Sequence, residues 1–149
     1  MLAWHYTIKK YLPSIIASGE IRPAAGGVVL PEKPIVWFSL NQYWENTASK
    51  GYRDANGYRK LTMRETFEMG GGLVRFGCEV RQLHLGEALR RKASMSNQIW
   101  RALCNEGRKQ KASPSDWCGS IVPVPVSSLV MEFMNDSFQW ERIEAVTAA

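Results

Sequence analysis

Residues 62 to 80 place a helix, a stop and a strand in immediate succession, which leaves a chain of this size few ways to fold. Thr62-Met63-Arg64-Glu65 has the spacing of a capping box, in which the threonine hydroxyl and the glutamate carboxylate satisfy each other's backbone amides. The helix it opens should run to about Met69, where Gly70-Gly71-Gly72 ends it. Leu73 to Val80 then reads as a strand, with Val74, Phe76, Cys78 and Val80 on one face and Arg75, Gly77 and Glu79 on the other.

The flanking segments have to accommodate that unit. Leu2 to Thr7 carries large side chains on both faces and predicts a strand entering the core. Thr7 is placed to cap a helix over Ile8 to Ser18, split near Pro13 and ended by Gly19. Proline and glycine between residues 22 and 34 predict a loop, and Ile35-Val36-Trp37-Phe38-Ser39 a buried strand. Residues 40 to 61 form a long loop rich in aromatic side chains. The strongest helix is expected over Ser96 to Glu106, with Ile99, Trp100, Leu103 and Cys104 on one stripe, a basic opposite face, and Gly107 just beyond its end. A short extended piece at His84 and strands over Gly119 to Val126, Leu129 to Met134 and Phe138 to Ile143 complete the reading. Strands outnumber helices and do not alternate with them. The predicted class is therefore α+β: a small, split, antiparallel-rich sheet with a few helices, in a single domain over residues 1–149 whose tail frays from 145.

Composition limits the alternatives. With 45% hydrophobic and 22% charged residues over 149 positions, the chain can build a packed interior. No apolar run suits a membrane span, and Met1 to Lys10 lacks the apolar stretch of a secretory signal, so the expected setting is the cytoplasm, away from any membrane. Cys78, Cys104 and Cys118 form no CxxC pair, and only His5 and His84 are available to join them, which predicts neither a disulfide framework nor a metal site. The net charge of +5 is concentrated in one place. Arg90, Arg91, Lys92, Arg101, Arg108, Lys109 and Lys111 stand against one acid, Glu106, between residues 90 and 111. A surface of that kind attracts nucleic acid or an acidic protein face.

The standard catalytic signatures HExxH, P-loop, nucleophile elbow and GxGxxG are absent. What stands out is His5-Tyr6-Thr7 at the end of an early strand, followed by a short helix, the turn Ser18-Gly19-Glu20-Ile21, and Trp37-Phe38-Ser39 on a second strand. Across residues 2 to 50 this order resembles the histidine-containing branch of the ADP-ribosyltransferase superfamily, which includes DNA-targeting ADP-ribosyltransferase toxins and tRNA 2′-phosphotransferases. The Ser-Thr-Ser and Glu-x-Glu pattern of arginine-specific toxins is missing, as are the arginines and second histidine of the phosphotransferases.

The resemblance implies an ADP-ribosyltransferase-like fold and NAD⁺ as substrate, with nicotinamide released and ADP-ribose passed to a macromolecule. Breaking the nicotinamide–ribose bond moves positive charge onto the sugar, so such a site wants a grip on the ribose hydroxyls, an aromatic wall and a carboxylate. His5 is the expected ribose grip, with Thr7 as the second matching residue of the strand motif. Tyr43, Tyr52 and Tyr58 are candidates for the wall, and Trp44 and Trp117 are the tryptophans best placed to line a cleft. Ser39 is expected to bond the ribose or the nicotinamide amide, and Arg75 to pair with the pyrophosphate through its planar fork. Either Glu45, soon after the second strand, or Glu132, on a late strand, can supply the carboxylate. The alternatives are a non-catalytic basic module of a phage or bacterial conflict system that blocks a nucleic acid or protein partner, and an RNA-processing enzyme on the same scaffold.

Overall fold

A computed structural model describes residues 1–143; the expected fraying from 145 lies outside the described residues. Eleven strands and four α-helices are formed among them. The strands are β1 (Leu2–Ile8), β2 (Glu20–Ile21), β3 (Val36–Ser39), β4 (Gly51–Asp54), β5 (Gly57–Lys60), β6 (Leu73–Glu79), β7 (His84–Leu85), β8 (Trp117–Ser120), β9 (Val124–Pro125), β10 (Val130–Met134) and β11 (Trp140–Arg142). The helices are α1 (Leu12–Ser18), α2 (Met63–Met69), α3 (Gly86–Lys92) and α4 (Asn97–Lys109). Seven strands make one sheet in the order β11-β10-β6-β1-β3-β8-β7, with every neighbouring pair antiparallel. Two-stranded ribbons, β2-β9 and β4-β5, lie outside it. The α+β class with a mainly antiparallel sheet therefore holds.

The segment from 62 to 80 folds as its sequence dictates. Both halves of the Thr62/Glu65 capping box are made, at 3.1 Å each, and α2 ends at Met69. Val74, Phe76 and Cys78 enter a core with Ala3, Val36, Phe38 and Cys118, covered by Leu12 and Ile15 of α1. The opposite sheet face is buried as well: Trp4, Tyr6, Ile8, Leu73 and Met134 pack there under Phe67 of α2. A third cluster joins Ile35, Leu89, Ala93 and Met95 to Trp37 and Trp100. Among the described residues, no helix is long and apolar enough to cross a membrane.

Several expectations are corrected. Thr7 caps nothing: β1 runs on to Ile8 in register with β6, pairing Thr7 with Val74, and a 3₁₀ turn at Lys9–Tyr11 precedes α1. Pro13 sits in the first turn of α1, where a missing amide costs least, and so starts the helix instead of splitting it. Residues 40 to 61 are partly ordered as a 3₁₀ turn (Asn46–Ala48) and the β4-β5 ribbon. Gly107 lies inside α4, which continues to Lys109. A Cβ at 107 would lie 2.5 Å from the Trp117 ring, so this glycine serves close packing and not helix termination. The stripe expected on α4 is buried only in part, since Ile99 and Leu103 remain exposed. Helix α3 gave no periodic signal because Leu89 is its one buried residue. The strand expected over Gly119 to Val126 is divided between β8 and β9.

Candidate functional site

Strands β1 and β3 are paired only at Trp4 and Ser39, so the centre of the sheet opens beyond that point. His5, the next residue of β1, bridges the opening with its side chain. Its Nδ1 lies 2.8 Å from the Trp37 carbonyl oxygen. A carbonyl only accepts, so Nδ1 carries the proton and, in the neutral ring, Nε2 is an acceptor. Burial pushes the His5 pKa below 6.5, outweighing the Trp37 carbonyl, which raises it, while nearby Lys50 lowers it further. The neutral tautomer is thereby favoured at neutral pH.

The half-buried imidazole lines a cleft of about 430 Å³ together with Ser39, Glu45, Trp37, Trp117 and Lys50. Glu45 is buried and held by four donors. Oε1 accepts from Ser39 Oγ at 3.0 Å and Trp117 Nε1 at 3.2 Å, and Oε2 accepts from the Thr47 amide at 3.1 Å and Thr47 Oγ1 at 2.8 Å. Among the described residues, no cation lies within 4.0 Å of this carboxylate. Neutral donors fix its position and leave its negative charge directed at whatever enters the cleft. Ser39 is itself fixed, accepting from the Asn41 amide at 3.1 Å.

Trp37 and Trp117 meet edge to face with centroids 5.9 Å apart, and Trp100 stacks behind Trp37 at 6.4 Å. Leu103, Glu106, Gly107 and Gln110 of α4 and its end close one side of the cleft. These positions recur at three- and four-residue steps along one helix face. The side-chain oxygen of Gln110 is buried there and has no hydrogen-bond partner among the described residues. Lys50 is partly buried, and desolvation lowers its pKa, with Lys60 adding to the effect.

Of the residues singled out from the sequence, His5, Ser39, Glu45 and Trp117 thus meet in one cleft. Glu132, Arg75, Thr7, Tyr43, Tyr52, Tyr58 and Trp44 do not line it. The two glutamates part company because β10 lies beyond β6, where Glu132 is paired in register with Arg75. There the buried Arg75 guanidinium bonds Glu132 and sits between Trp4 and Trp140, with ring centroids at 3.7 and 4.5 Å. It also donates to the Gln42 carbonyl at 2.6 Å. Arg75 is therefore a structural cation, already engaged on every side. Thr7 is buried within β1. Tyr43 is exposed and bonds the Phe138 carbonyl, and Trp44 is buried against Tyr6 and bonds Ser49. Tyr52 and Tyr58 stand on the exposed β4-β5 ribbon. The aromatic residues that do line the cleft are Trp4, Tyr6, Trp37, Phe38 and Trp117. Lys50 and Gln110 carried no sequence signal, since lysine and glutamine in connecting segments are ordinary surface residues.

Within the basic stretch, Arg90 and Arg91 face Glu87 and Lys109 faces Glu106. Lys92, Arg101, Arg108 and Lys111 are exposed and enter no ion pair among the described residues. Cys78, Cys104 and Cys118 are all buried and unpaired with one another, and burial pushes the Cys118 thiol up to about 12. No thiolate is poised for attack there. Comparisons of the chain with protein-family models, curated proteins and solved structures gave no match.

Proposed function

We propose that this protein is an ADP-ribosyltransferase-like enzyme that cleaves NAD⁺ at the nicotinamide–ribose bond in the cleft between β1 and β3. The observation that carries this reading is the convergence there of a tautomer-fixed imidazole, a hydroxyl, tryptophan faces and a carboxylate that has no counter-ion among the described residues. His5 Nε2 accepts from a ribose hydroxyl. Trp37 and Trp117 offer electron-rich surface to the cationic nicotinamide ring, which binds it more tightly than the neutral product. As the C–N bond breaks, its electron pair leaves with nicotinamide and positive charge grows on the sugar, where Glu45 stabilises it. A nucleophile of the acceptor then bonds the anomeric carbon and gives up its proton.

The acceptor belongs to an acidic macromolecule, nucleic acid or a protein associated with it, drawn in by Lys92, Arg101, Arg108, Lys109 and Lys111. Long-range attraction of this kind raises the encounter rate and fades with salt. The single strand pair joining β1 to β3 supports the ADP-ribosyltransferase-like fold, because a split at the sheet centre is what admits a ligand between them.

The deciding experiment measures free nicotinamide and labelled product after the protein is mixed with NAD⁺ and cell extract. Wild type should release nicotinamide. His5→Ala should weaken NAD⁺ binding, and Glu45→Gln should lower turnover by about two to three orders of magnitude, the usual loss when one preorganised electrostatic stabiliser is removed. No turnover with any extract, together with unchanged NAD⁺ binding in His5→Ala, would sink the proposal. Salt-sensitive capture of nucleic acid that survives loss of His5 would instead favour a non-catalytic binding module.

A further inference from the structure

A second cavity of about 380 Å³ adjoins the cleft, and Gln110 lines both. Its charged lining is all of one sign: Lys60 from β5, and Lys109 and Lys111 from the end of α4, with Ser49 and Thr62 as polar neighbours. Lys109 faces Glu106 at 3.8 Å and Lys60 donates to the Thr47 carbonyl at 3.3 Å, but neither Lys60 nor Lys111 has a carboxylate partner among the described residues, so the cavity keeps an excess of positive charge that favours an anion.

The backbone adds a separate observation. Lys111 has φ 61, and the following amide, Ala112, reaches back to the Gly107 carbonyl at 2.9 Å. This is the left-handed position that ends a helix and that glycine fills without strain. Here a β-carbon is kept in it, and the side chain it carries lines the cavity. A third observation is the buried Gln110 oxygen, which has no donor among the described residues. A buried acceptor left unpaired is costly, and a ligand hydroxyl lying across the junction of the two cavities would satisfy it.

We infer that the Lys60–Lys109–Lys111 cavity is a phosphate-binding site for a hydroxyl-bearing phosphorylated ligand of the sugar-phosphate class, with Gln110 accepting from one of its hydroxyls. Phosphate binding and nicotinamide release are measured separately, so failure of this inference is distinguishable from failure of the proposed cleavage reaction. Its ligand is either the phosphorylated part of the molecule in the cleft or a second phosphorylated molecule beside it. The chemistry is the same in both cases.

Calorimetric titration with ribose 5-phosphate and with inorganic phosphate tests this. Ribose 5-phosphate should bind, and more tightly than inorganic phosphate, and Gln110→Leu should abolish the difference. Lys60→Gln and Lys111→Gly should each weaken binding about tenfold, the effect of one lost charge-assisted contact, whereas Arg81→Gln, an exposed charge that does not line the cavity, should not. Lys111→Gly also guards against a trivial loss of folding, because relief at a left-handed position should raise its melting temperature while binding falls. Displacement of ribose 5-phosphate by NAD⁺ assigns the site to the occupant of the cleft, and simultaneous binding assigns it to a second ligand. Absence of saturable binding, equal affinity for the two probes, or wild-type affinity in both lysine variants would overturn the inference.

Discussion

Replacing Glu45 with glutamine changes almost no volume and removes one charge, so its effect follows from hydrogen-bond accounting. The two carboxylate oxygens accept from four donors: Ser39 Oγ and Trp117 Nε1 on one, and the Thr47 amide and Thr47 Oγ1 on the other. Glutamine offers one accepting oxygen and one amide nitrogen that only donates. Hydroxyl groups can turn and accept, so Ser39 or Thr47 Oγ1 adapts to either orientation. The N–H groups cannot. With the amide nitrogen in one place the Trp117 indole is stranded, and in the other the Thr47 backbone amide is. A stranded buried donor costs about 1–3 kcal/mol, and the remaining bonds lose their charge assistance, about 1 kcal/mol each. Relief from burying a carboxylate offsets part of this. The expected net loss is about 3 kcal/mol, which for a domain of this size lowers the melting temperature by about 6–12 °C. Urea unfolding followed by tryptophan fluorescence, paired with thermal unfolding by circular dichroism, gives both quantities. A change of less than about 1 kcal/mol would show that the carboxylate is not held as described, and the electrostatic role assigned to it would lose its basis.

Gly107→Ala should destabilise α4 although alanine is the better helix former by about 1 kcal/mol, because the added carbon meets Trp117; a more stable variant by chemical denaturation would contradict that packing. Arg75→Met leaves Glu132 buried without its main cation, and a loss of about 3–5 kcal/mol is expected; pairing it with Glu132→Gln should restore part of that loss, and strictly additive effects would count against the ion pair. Because burial depresses the His5 pKa, the unfolded chain takes up a proton near pH 6.5 that the folded imidazole refuses. Stability should therefore fall as pH drops below that value, and nitrogen-15 NMR should show the Nδ1–H tautomer at neutral pH; a His5 titrating at or above 6.5 would contradict this. Burial pushes the Tyr6 phenol up to about 12 against an ordinary 10, so unfolding should become easier as pH rises through that interval, and absorbance titration of wild type against Tyr6→Phe reads it directly.

The parts of this protein legible in its sequence are those governed by neighbours along the chain. The capping box, the triple-glycine stop and the alternation of Val74, Phe76 and Cys78 each depend on contacts within a few residues or on which side of one strand a side chain points. They fold as read. The His5 strand and the Trp37-Phe38-Ser39 strand were legible for the same reason. At two positions where the reading failed, a distant residue had intervened. Gly107 looks like a helix end until Trp117 is seen packed on it, and Arg75 looks available for a ligand until Trp4, Trp140 and Glu132 are seen around it.

The choice between Glu45 and Glu132 shows the division most clearly. Both are acids near strands, and nothing local separates them. Strand order does: β3 lies beside β1, so the turn after it brings Glu45 to His5, whereas β10 lies beside β6 and delivers Glu132 to Arg75. Local sequence determined most of the strands and helices, because propensity, capping and alternation act over a few bonds, while α3 and the β4-β5 ribbon carried no such signal. Only the assembled sheet decided which side chains share a cleft, because that depends on pairings between strands far apart in the chain, set by the packing of both sheet faces at once.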